Sequence, residues 1–349
     1  MKNLINFIIL LTIISILVLT GCSSDESENP LSFIDAYTVD LLETEGTSYT
    51  GDYFPIEEGH TCNYSGFVIM QTKMVIPGYD PINEPTISPT LGMLKVLALR
   101  NIPLPSGTMP LYPIVDLTDM QGEITADTSR FFSKDDEAVY VKAMKLSDGS
   151  YLEVQNPVFI KSSLVVGESW ETAPQMDMTQ LLTGALGEEG EGSDMTLNAE
   201  SKFFVVGHEM ISLPIGTRWA MRLEQVNDIS MTGILMVEGI PVNTTIIAKL
   251  ATIYHMIPDT GIVHQNTTGP MDMRMTVECQ TISIDIDIEQ SELNLTSMGD
   301  DGFYKNISTS NNQTPAATIN MSSYETPMAQ KLWKVSQTIT NILSKNLSL

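Results

Sequence analysis

The sequence predicts a mainly all-β protein, built as an antiparallel sheet and followed by a C-terminal amphipathic helix. Across 49–298, short apolar runs alternate with glycine, proline, asparagine and aspartate, the residues that favour turns. No helix-like segments of roughly 10 to 15 residues recur between these runs, which disfavours βαβ units and a parallel sheet. The β domain is expected to cover 31–300.

The clearest predicted strand covers 281–289, where isoleucines alternate with polar residues. These isoleucines are Ile282, Ile284, Ile286 and Ile288. The alternation places one face of the strand in the core and the other in water. Before this strand the apolar positions are odd-numbered, at Met271, Met273, Met275, Val277 and Cys279. The change of parity near Gln280 and Thr281 predicts a β-bulge or a change of sheet there.

Two hairpins and one short helix are predicted from local patterns. The segment 138–155 is expected to fold back at Asp148-Gly149, and 234–245 near Glu238-Gly239, because glycine tolerates the positive φ of tight turns. In 31–44 the apolar residues fall on one side of a helix, at Phe33, Ile34, Tyr37, Leu41 and Leu42. The acidic, glycine-containing segment 184–194 is expected to be a flexible loop.

A sorting signal is predicted at the N terminus. Lys2 precedes an apolar run over 4–19, which ends in Leu19-Thr20-Gly21-Cys22. The run falls short of the roughly 20 residues that a helix needs to cross a bilayer. Small residues before a cysteine form a lipobox, so residues 1–21 are expected to be a signal peptide. The arrangement resembles that of bacterial lipoproteins, which implies a diacylglyceryl group on the Cys22 thiol and an N-acyl chain such as palmitate.

The lipid anchor predicts where the protein acts. Acyl chains contribute about 0.8 kcal/mol per buried methylene, so two or three of them hold a protein on the bilayer effectively permanently. Residues 22–30 then form a polar tether with a coil dimension of about 15 Å, which keeps the β domain close to the membrane. The expected location is the cell envelope, on the extracytoplasmic face of a membrane, with the bilayer as the partner of Cys22.

The C-terminal part differs in composition from the β domain. Residues 301–326 are rich in serine, threonine and asparagine and are expected to be a linker. Over 327–349 the apolar residues have the spacing of one helix face, at Met328, Leu332, Val335, Ile339, Ile342, Leu343 and Leu347. This helix carries lysines and no carboxylate side chain. It is expected to dock on the acidic β domain, and the alternatives are the membrane interface or a partner protein.

The charge of the chain argues against nucleic acid as a partner. Aspartate and glutamate number 43 against 18 lysines and arginines, which gives a formal net charge of -25. Such a surface repels phosphate backbones and anionic headgroups. No nucleic acid is therefore expected to bind, whereas weak binding of cations at the surface is compatible with this charge.

The histidines do not form a recognised metal motif. His208-Glu209 matches the first two positions of an HExxH motif, but Ser212 stands where the motif requires its second histidine. His255 and His264 lie either side of a predicted turn and are placed to face each other across a hairpin. Two ligands without a carboxylate between them are too few for a metal ion. The acidic residues within 281–289 alternate with isoleucines, which predicts a solvated strand face rather than a calcium-binding loop.

The sequence also lacks the local patterns of common catalytic and cofactor sites. It contains no GxSxG elbow, no Walker A loop and no GxGxxG turn. We therefore predict no catalytic residue, no metal site and no cofactor, and we expect the protein not to be an enzyme.

Two cysteines remain in the predicted mature chain. An extracytoplasmic compartment permits a disulfide between Cys62 and Cys279. It would close a loop of more than 200 residues and contribute up to about 5 kcal/mol in the chain-entropy description. The alternative is a pair of buried thiols.

Methionine is frequent, with 21 residues in the chain. Met271, Met273 and Met275 are expected to share one strand face. Flexible thioethers fill irregular gaps in a core, and they also suit the lining of a cavity that accepts apolar ligands. The gap-filling interpretation is the favoured one.

Three stretches carry recurring motifs. The first is Tyr53-Phe54-Pro55-Ile56 followed by Gly59-His60, Cys62 and Tyr64, the second is Leu213-Pro214-Ile215-Gly216-Thr217-Arg218, and the third runs from Ile253-Tyr254-His255 to Pro258-Asp259-Thr260-Gly261-Ile262-Val263-His264. Together they resemble the TapB-like family of secreted or lipid-anchored prokaryotic β proteins, with Cys62 at a position usually held by tryptophan. The resemblance implies a curved antiparallel sheet, comparable to the half-barrel of the LolA and LppX lipoprotein carriers, and no established catalytic residues.

The leading hypothesis is a membrane-anchored envelope lipoprotein whose β domain is a non-enzymatic binding or interaction module. Its ligand would be a small apolar or cationic molecule, or a neighbouring envelope protein. One alternative is an extracytoplasmic hydrolase with paired carboxylates, and another is a structural or adhesive surface module. An apolar cavity in the concave face would favour ligand binding, converging buried carboxylates would favour the hydrolase, and a filled core would favour the structural module.

Replacement of Cys22 by serine tests the predicted anchor. Without the thiol no diacylglyceryl group can be attached, so Cys22→Ser is expected to incorporate no labelled palmitate and to keep residues 1–21. Autoradiography and intact-mass measurement check both outcomes. Cys279→Ser removes a different thiol and should leave labelling and cleavage unchanged. Labelled Cys22→Ser protein would contradict the prediction.

Overall fold

The structure, a computed structural model, describes the chain between residues 33 and 299 with short gaps. The described ranges are 33–78, 80–120, 123–146, 149–157, 159–173, 175, 192–237, 240–277 and 280–299. The predicted signal peptide, Cys22, the tether, the linker and the C-terminal helix lie outside these ranges, as do Cys279 and most of the segment 184–194.

Most of the described residues lie in β-strands, which confirms the all-β prediction. The strands are β1 Ser48–Thr50, β2 Thr61–Val75, β3 Ile82–Val96, β4 Arg100–Leu104, β5 Gly107–Met120, β6 Glu123–Lys134, β7 Ala138–Lys145, β8 Tyr151–Glu153, β9 Phe159–Lys161, β10 Ser163–Val165, β11 Ser169–Thr172, β12 Asp194–Leu213, β13 Gly216–Val237, β14 Ile240–Ile257, β15 Gly261–Val277 and β16 Gln280–Met298.

The strands form one large antiparallel sheet and one small pair. The order in the large sheet is β11-β12-β13-β14-β15-β16-β2-β3-β5-β6-β7-β8, with β4 beside β5 and β9 beside β7. β1 pairs with β10 outside this sheet. Among the described strands the sheet is not closed, because β11 and β8 end it. The pairing of β16 with β2 joins the C-terminal half of the sheet to the N-terminal half.

The large sheet is strongly curved, as the resemblance to the TapB-like family implies. β12 contacts β16 although β13, β14 and β15 lie between them, and β4 contacts β8 across β5, β6 and β7. In a flat sheet each of these pairs would be about 19 Å apart, at about 4.8 Å per strand. At the second approach, the Ser106 hydroxyl and main-chain N–H donate to the Glu153 carboxylate over 2.5 and 2.9 Å.

The two predicted hairpins are present. β7 and β8 pair on either side of Gly149, whose φ is 87°. β13 and β14 pair as far as Val237 and Ile240, the residues that flank the second predicted turn. The hairpin predictions are therefore confirmed.

Two of the motif stretches also end in hairpins. Leu213 pairs with Gly216 between β12 and β13, and Ile257 pairs with Gly261 between β14 and β15. Both glycines have positive φ, 98° and 91°, which residues with a Cβ rarely adopt. The prolines and glycines of these motifs therefore have structural roles.

The predicted bulge or change of sheet near Gln280 and Thr281 is wrong. β15 and β16 are neighbours in one sheet, and Val277 pairs with Gln280. Paired residues share a face, and this register pairs odd-numbered residues of β15 with even-numbered residues of β16. A tight reversal of the chain therefore changes the parity just as a bulge does, and periodicity alone does not distinguish the two.

The helix predicted over 31–44 is much shorter than expected. In the described part of this segment only α1, Phe33–Ala36, is helical. Leu42 is exposed, and its N–H donates to the Val206 carbonyl. The segment therefore makes a backbone hydrogen bond to β12 instead of continuing a helix. Among the described residues, no helix is both long and apolar enough to span a membrane.

One face of the sheet carries the main hydrophobic core. The isoleucines predicted to be buried are 1–4% exposed and pack in this core: Ile282, Ile284, Ile286 and Ile288. Met271, Met273 and Met275 are cross-strand partners of three of them and are buried in the same cluster. The thioethers therefore pack within a core, as the gap-filling interpretation expects.

A second apolar cluster occupies another part of the same face, with a polar network between them. Trp170 stacks on Phe203 with ring centroids 5.1 Å apart, and Tyr254 is buried in this cluster. The Tyr254 hydroxyl donates to Gln225, whose amide donates to Asn227, each over 2.9 Å. Buried polar groups need such partners, because leaving one unpaired costs about 1–3 kcal/mol.

Removal of one core isoleucine tests this account of the sheet. Ile286→Ala deletes methyl groups from a fully packed site and is expected to lower the free energy of unfolding by about 2–5 kcal/mol. Asp287→Ala, at the exposed neighbouring position, should change it by no more than about 0.5 kcal/mol. Urea unfolding measures both, and equal losses would contradict the assigned faces.

Candidate functional site

A row of polar and charged side chains crosses five neighbouring strands, β12 to β16. Arg222 pairs with His255, and His255 pairs with His264, so these side chains share one face of the sheet. The alternate residue Tyr254 is buried in the apolar cluster on the other face. The polar row, as we term it, consists of Tyr37, Glu209, Arg222, Glu224, His255, His264 and Glu292.

The centre of the row is the histidine pair that the sequence placed across a hairpin. The Nδ1 atoms of His255 and His264 lie 2.8 Å apart, so one donates a hydrogen bond and the other accepts it. His255 Nε2 lies 2.8 Å from Oε1 of Glu209 and donates to it. In the neutral pair, His255 Nδ1 therefore accepts, His264 Nδ1 donates, and His264 Nε2 carries a free lone pair.

Arg222 fixes one end of the row by joining two carboxylates. Its Nε donates to Glu224 over 2.8 Å, and its guanidinium NH1 donates to Glu209 over 3.2 Å. The Tyr37 hydroxyl donates to the second oxygen of Glu224 over 2.6 Å. Glu224 is buried under these contacts. They hold Glu209 in place, and Glu209 in turn orients the His255 ring.

The other end of the row is rich in hydrogen-bond acceptors. Glu292 Oε1 lies 4.0 Å from His264 Nε2, and the carboxylate accepts N–H groups from Gln290 and Asn294. Asn266 is the cross-strand partner of Glu292, and its buried side-chain oxygen accepts no hydrogen bond. We term Asn266, His264 and Glu292 the acceptor end. A ligand that donates hydrogen bonds there would relieve the cost of the unpaired oxygen.

Burial and charge set the protonation of the row. Burial lowers the pKa of His255, although Glu209 opposes the shift. Burial, together with the neighbouring His255, lowers the pKa of His264. Burial also acts to raise the pKa of Glu209, but the hydrogen bond from His255 and the charge of Arg222 hold it below its ordinary value. Near neutral pH both histidines are therefore neutral and Glu209 is ionised.

Glu209 does not have the properties of the acid in a hydrolytic acid–base pair. Such a pair needs one carboxyl that keeps its proton near neutral pH. Here the pKa of Glu209 is lowered, and Arg222 engages both Glu209 and Glu224. Within the described ranges, no group of three or more His, Cys, Asp or Glu side chains is placed to hold a metal ion.

A second polar cluster lies where β2 begins. Cys62 is a buried free thiol. Its Sγ lies 3.4 Å from Nε2 of His60 and 3.6 Å from the main-chain oxygen of Thr260. His60 Nε2 lies 3.2 Å from the same oxygen. Burial raises the pKa of the Cys62 thiol to about 11, so the thiol is protonated at neutral pH, unlike that of a nucleophilic cysteine.

The disulfide between Cys62 and Cys279 stays a prediction, because Cys279 lies outside the described residues. Its neighbour Gln280 begins β16, and Met298 at the other end of β16 pairs with Cys62. The 18 positions between Gln280 and Met298 correspond to roughly 60 Å of extended strand. A bond within one chain would require this part of the sheet to rearrange.

The other residues singled out from the sequence lie outside the row. His208 packs edge-on against Tyr49 with ring centroids 4.2 Å apart, and its Nδ1 lies 3.7 Å from the Glu43 carboxylate. On β16, Asp287 and Glu289 are exposed, as predicted for a solvated strand face.

Sequence reasoning missed the carboxylates that flank the histidine pair. Glu209 stood in an incomplete HExxH pattern, and Glu292 had no motif around it. Counting from the β14–β15 turn, where Ile257 pairs with Gly261, would place His255 opposite Val263, and the register shift between His255 and Met256 brings His264 opposite it instead. The usable signal for Glu209 was the register of the β12–β13 hairpin, because counting from the pair Leu213 and Gly216 places Glu209 opposite Ala220, on the same face as Arg222.

Comparisons with known proteins assign no family. The sequence matches no protein-family model, and it matches no curated protein. The resemblance to the TapB-like family therefore stays a prediction.

Several solved structures share slight similarity with this chain. A protein classed as a lipoprotein from Parabacteroides distasonis is 11% identical, with 72% of this chain and 99% of that chain covered, at a TM-score of 0.29. A protein classed as exported, with a YmcC-like fold, from Bacteroides fragilis is 10% identical. The match covers 72% of this chain and 100% of that chain, at a TM-score of 0.26. A LolA superfamily protein from Nitrosomonas europaea is 11% identical. The match covers 68% of this chain and 89% of that chain, at a TM-score of 0.14. TM-scores this low do not indicate a shared fold, so these similarities carry no assignment, and the likeness to LolA stays a prediction.

Acidification is expected to destabilise the fold through the histidine pair. The pKa values of His255 and His264 lie below the unfolded value of about 6.5. The unfolded chain therefore takes up protons first, and stability that is full above about pH 6.5 is lost as the pH falls below it. Thermal unfolding between about pH 8 and about pH 5 measures how steeply the stability of the fold falls with pH.

Two variants separate the pair from other titrating groups. His264→Gln removes one member of the pair, so it should reduce the loss of stability between about pH 6.5 and about pH 5. His208→Gln changes a histidine outside the row and should leave the slope unchanged. An unchanged slope in His264→Gln would show that the pair does not carry the effect.

Proposed function

We propose that this chain is a membrane-anchored lipoprotein of the cell envelope whose β domain binds a cationic ligand without catalysing a reaction. The proposed site is the acceptor end of the polar row, and the ligand class is a molecule with an ammonium or guanidinium group. The observation that carries the proposal is the buried, unpartnered oxygen of Asn266 beside the Glu292 carboxylate.

Hydrogen bonding at the acceptor end favours a charged donor. Asn266 offers an unpaired oxygen, neutral His264 offers the Nε2 lone pair, and Glu292 carries a negative charge. A carboxylate has about four acceptor positions, so the two amide donors on Glu292 leave room for a further donor. The net charge of -25 also raises the local concentration of cations.

An apolar ligand, the other class expected from the sequence, has less support. Met271, Met273 and Met275 would have lined its cavity, but they are packed among the core isoleucines. The hydrolase alternative also has less support, because Glu209 and Glu224 both bind Arg222.

The envelope location rests on the N-terminal sequence. A basic residue, an apolar run too short to span a bilayer as a helix, and Leu19-Thr20-Gly21-Cys22 form the pattern of a lipoprotein signal. Lipidation of Cys22 would hold the β domain on the extracytoplasmic face of a membrane.

One observation favours an additional role in protein interaction. Met210 and Trp219 pair across the β12–β13 hairpin, and they are 56% and 65% exposed. Large exposed apolar side chains, tryptophan above all, are frequent at protein contact sites. A neighbouring envelope protein is the partner expected for this end of the hairpin.

Titration with spermidine tests the cation-binding proposal. Calorimetry at an ionic strength of about 0.1 M, where the Debye length is about 10 Å, is expected to detect binding to the protein, and Glu292→Gln is expected to weaken it at least about tenfold. The size of the effect follows from the loss of a hydrogen bond between charged groups, which contributes about 1.5–3 kcal/mol.

The matched control removes one negative charge from the same strand. Asp287→Asn should change the affinity for spermidine by less than about twofold, because Asp287 is exposed and lies on β16 away from the acceptor end. Equal weakening by the two variants would show binding to the overall charge alone. Either that result or no binding at all would overturn the proposal.

A further inference from the structure

A stripe of apolar side chains continues the polar row beyond β16. Glu292 of the acceptor end pairs with Phe67 on β2, and Phe67 pairs with Pro89 on β3. Two residues along the strands, Ile69 pairs with Ile87. Paired residues share a face of the sheet, so these side chains lie on the face of the polar row. The apolar stripe, as we term it, consists of Phe67, Ile69, Ile87, Pro89 and Leu91, at alternate positions of the two strands.

The apolar stripe faces away from the main core and is accessible to solvent. Val68 and Met70 alternate with its members on β2 and are buried in that core. Ile87 is 67% exposed, the largest exposed fraction of any large apolar side chain in the described part of the chain. The other members are partly exposed. Contiguous apolar side chains on a solvent-facing surface favour contact with another apolar surface.

Other positions on this face of β2 are polar. Gln71 and Lys73, farther along the strand, are exposed, and Lys73 pairs with Asp285 of β16. Polar side chains are expected where only water covers a sheet. The apolar stripe departs from this pattern, which indicates that this part of the face is covered by something other than water.

The apolar stripe and the acceptor end form one surface with an apolar part and an acidic part. Neighbouring strands lie about 4.8 Å apart, so Phe67 lies directly beside Glu292. On the other side of Glu292 is Asn266, with its unpaired side-chain oxygen. An occupant that fits this surface has an apolar face with ammonium groups along one edge of it.

The predicted C-terminal helix, 327–349, lies outside the described residues, and its sequence has this chemistry. Its apolar residues have the spacing of one helix face, and its charged side chains are Lys331, Lys334 and Lys345. At about 100° per residue, the three lysines fall within about 60° of one another, beside one edge of the apolar face. The segment therefore complements the surface in apolar character and in charge.

The chain between β16 and this segment is long enough for the two to meet. β16 ends at Met298, six positions beyond Glu292, which corresponds to about 20 Å of strand. The connection 299–326 contains 28 residues, and a coil of that length has an end-to-end distance of about 30 Å. A connection of this length gives the segment an effective concentration on the order of millimolar at the surface.

We propose that residues 327–349 dock on the apolar stripe as an amphipathic helix and place a lysine ammonium group at the acceptor end, against Glu292 and Asn266. The inference rests on the proposed function in one respect, because both require the acceptor end to bind an ammonium group. The segment is then the intramolecular occupant of the site, and an external cationic ligand has to displace it.

Carbodiimide cross-linking of the full mature chain, residues 22–349, tests the contact. The reagent joins a lysine amine to a carboxylate in contact with it as an amide, takes up the water released and becomes a urea. At low protein concentration, peptide mass spectrometry is expected to find Glu292 joined to a lysine of 327–349. Mixing with isotope-labelled protein distinguishes links within one molecule from links between two. Glu171, 66% exposed on β11 at the far end of the sheet, should form far fewer such links.

A substitution in the apolar stripe separates docking from attraction by charge alone. Ile87→Asn changes no charge, and it is expected to lower the yield of the Glu292 link about tenfold because apolar burial is lost. The matched control is Ile247→Asn, since Ile247 is 38% exposed on β14, and it should leave the yield unchanged. Thermal unfolding verifies that both variants are folded.

Spermidine titration separates the docking from cation binding itself. Replacement of Lys331, Lys334 and Lys345 by glutamine should raise the affinity for spermidine at least about threefold if the segment occupies the site about two thirds of the time. No binding of spermidine to this triple variant would overturn the proposed function. A missing Glu292 link in a wild-type protein that still binds spermidine would overturn the docking alone.

Four further results would also overturn the docking. They are equal yields of the links at Glu292 and Glu171, links found only between two molecules, a wild-type yield in folded Ile87→Asn, and an unchanged spermidine affinity in the triple variant. A missing link together with binding of the segment to phosphatidylglycerol vesicles would assign it to the membrane surface instead.

Discussion

The burial of one face of a single large sheet is the constraint on which the rest of the structure depends. An open antiparallel sheet has two faces. An apolar face must be shielded from water, because each Å² of apolar surface that is buried contributes about 25 cal/mol to stability. Here the sheet curves until β12 reaches β16 and β4 reaches β8. This curvature lets Ile286 and Met271 pack in one core although no long helix lies against them in the described part of the chain.

The same alternation that buries the core produces the candidate site. Tyr254 lies in an apolar cluster and His255, the next residue, lies in the polar row on the opposite face. Strand pairing aligns Arg222, His255 and His264 across β13, β14 and β15, with a register shift between His255 and Met256. The row is therefore a consequence of strand pairing. Within it Arg222 binds both Glu209 and Glu224, and the Tyr37 hydroxyl donates to Glu224.

The sequence predicted the features that depend on local patterns. The isoleucines of β16 and the turns at Gly216 and Gly261 follow from period and turn chemistry. The β14–β15 hairpin brings His255 and His264 together, although a register shift beside His255 sets their pairing. The features it did not predict depend on contacts between distant segments. Glu209 on β12 reaches His255 on β14 across the intervening strand β13, and His60 and Cys62 meet Thr260 only because β2 and the β14–β15 turn converge. The helix predicted over 31–44 is longer than the observed α1, because the Leu42 N–H donates to the Val206 carbonyl and not to a carbonyl within a helix.

The two strands that end the large sheet are among its shortest. β11 has four residues and β8 has three, whereas β13 has twenty-two. An exposed edge recruits other chains in proportion to the ladder of unpaired backbone groups that it presents. If lipid anchors crowd many copies onto one membrane, as proposed, such short edge strands would limit strand pairing between the sheets of neighbouring molecules and so oppose fibril formation.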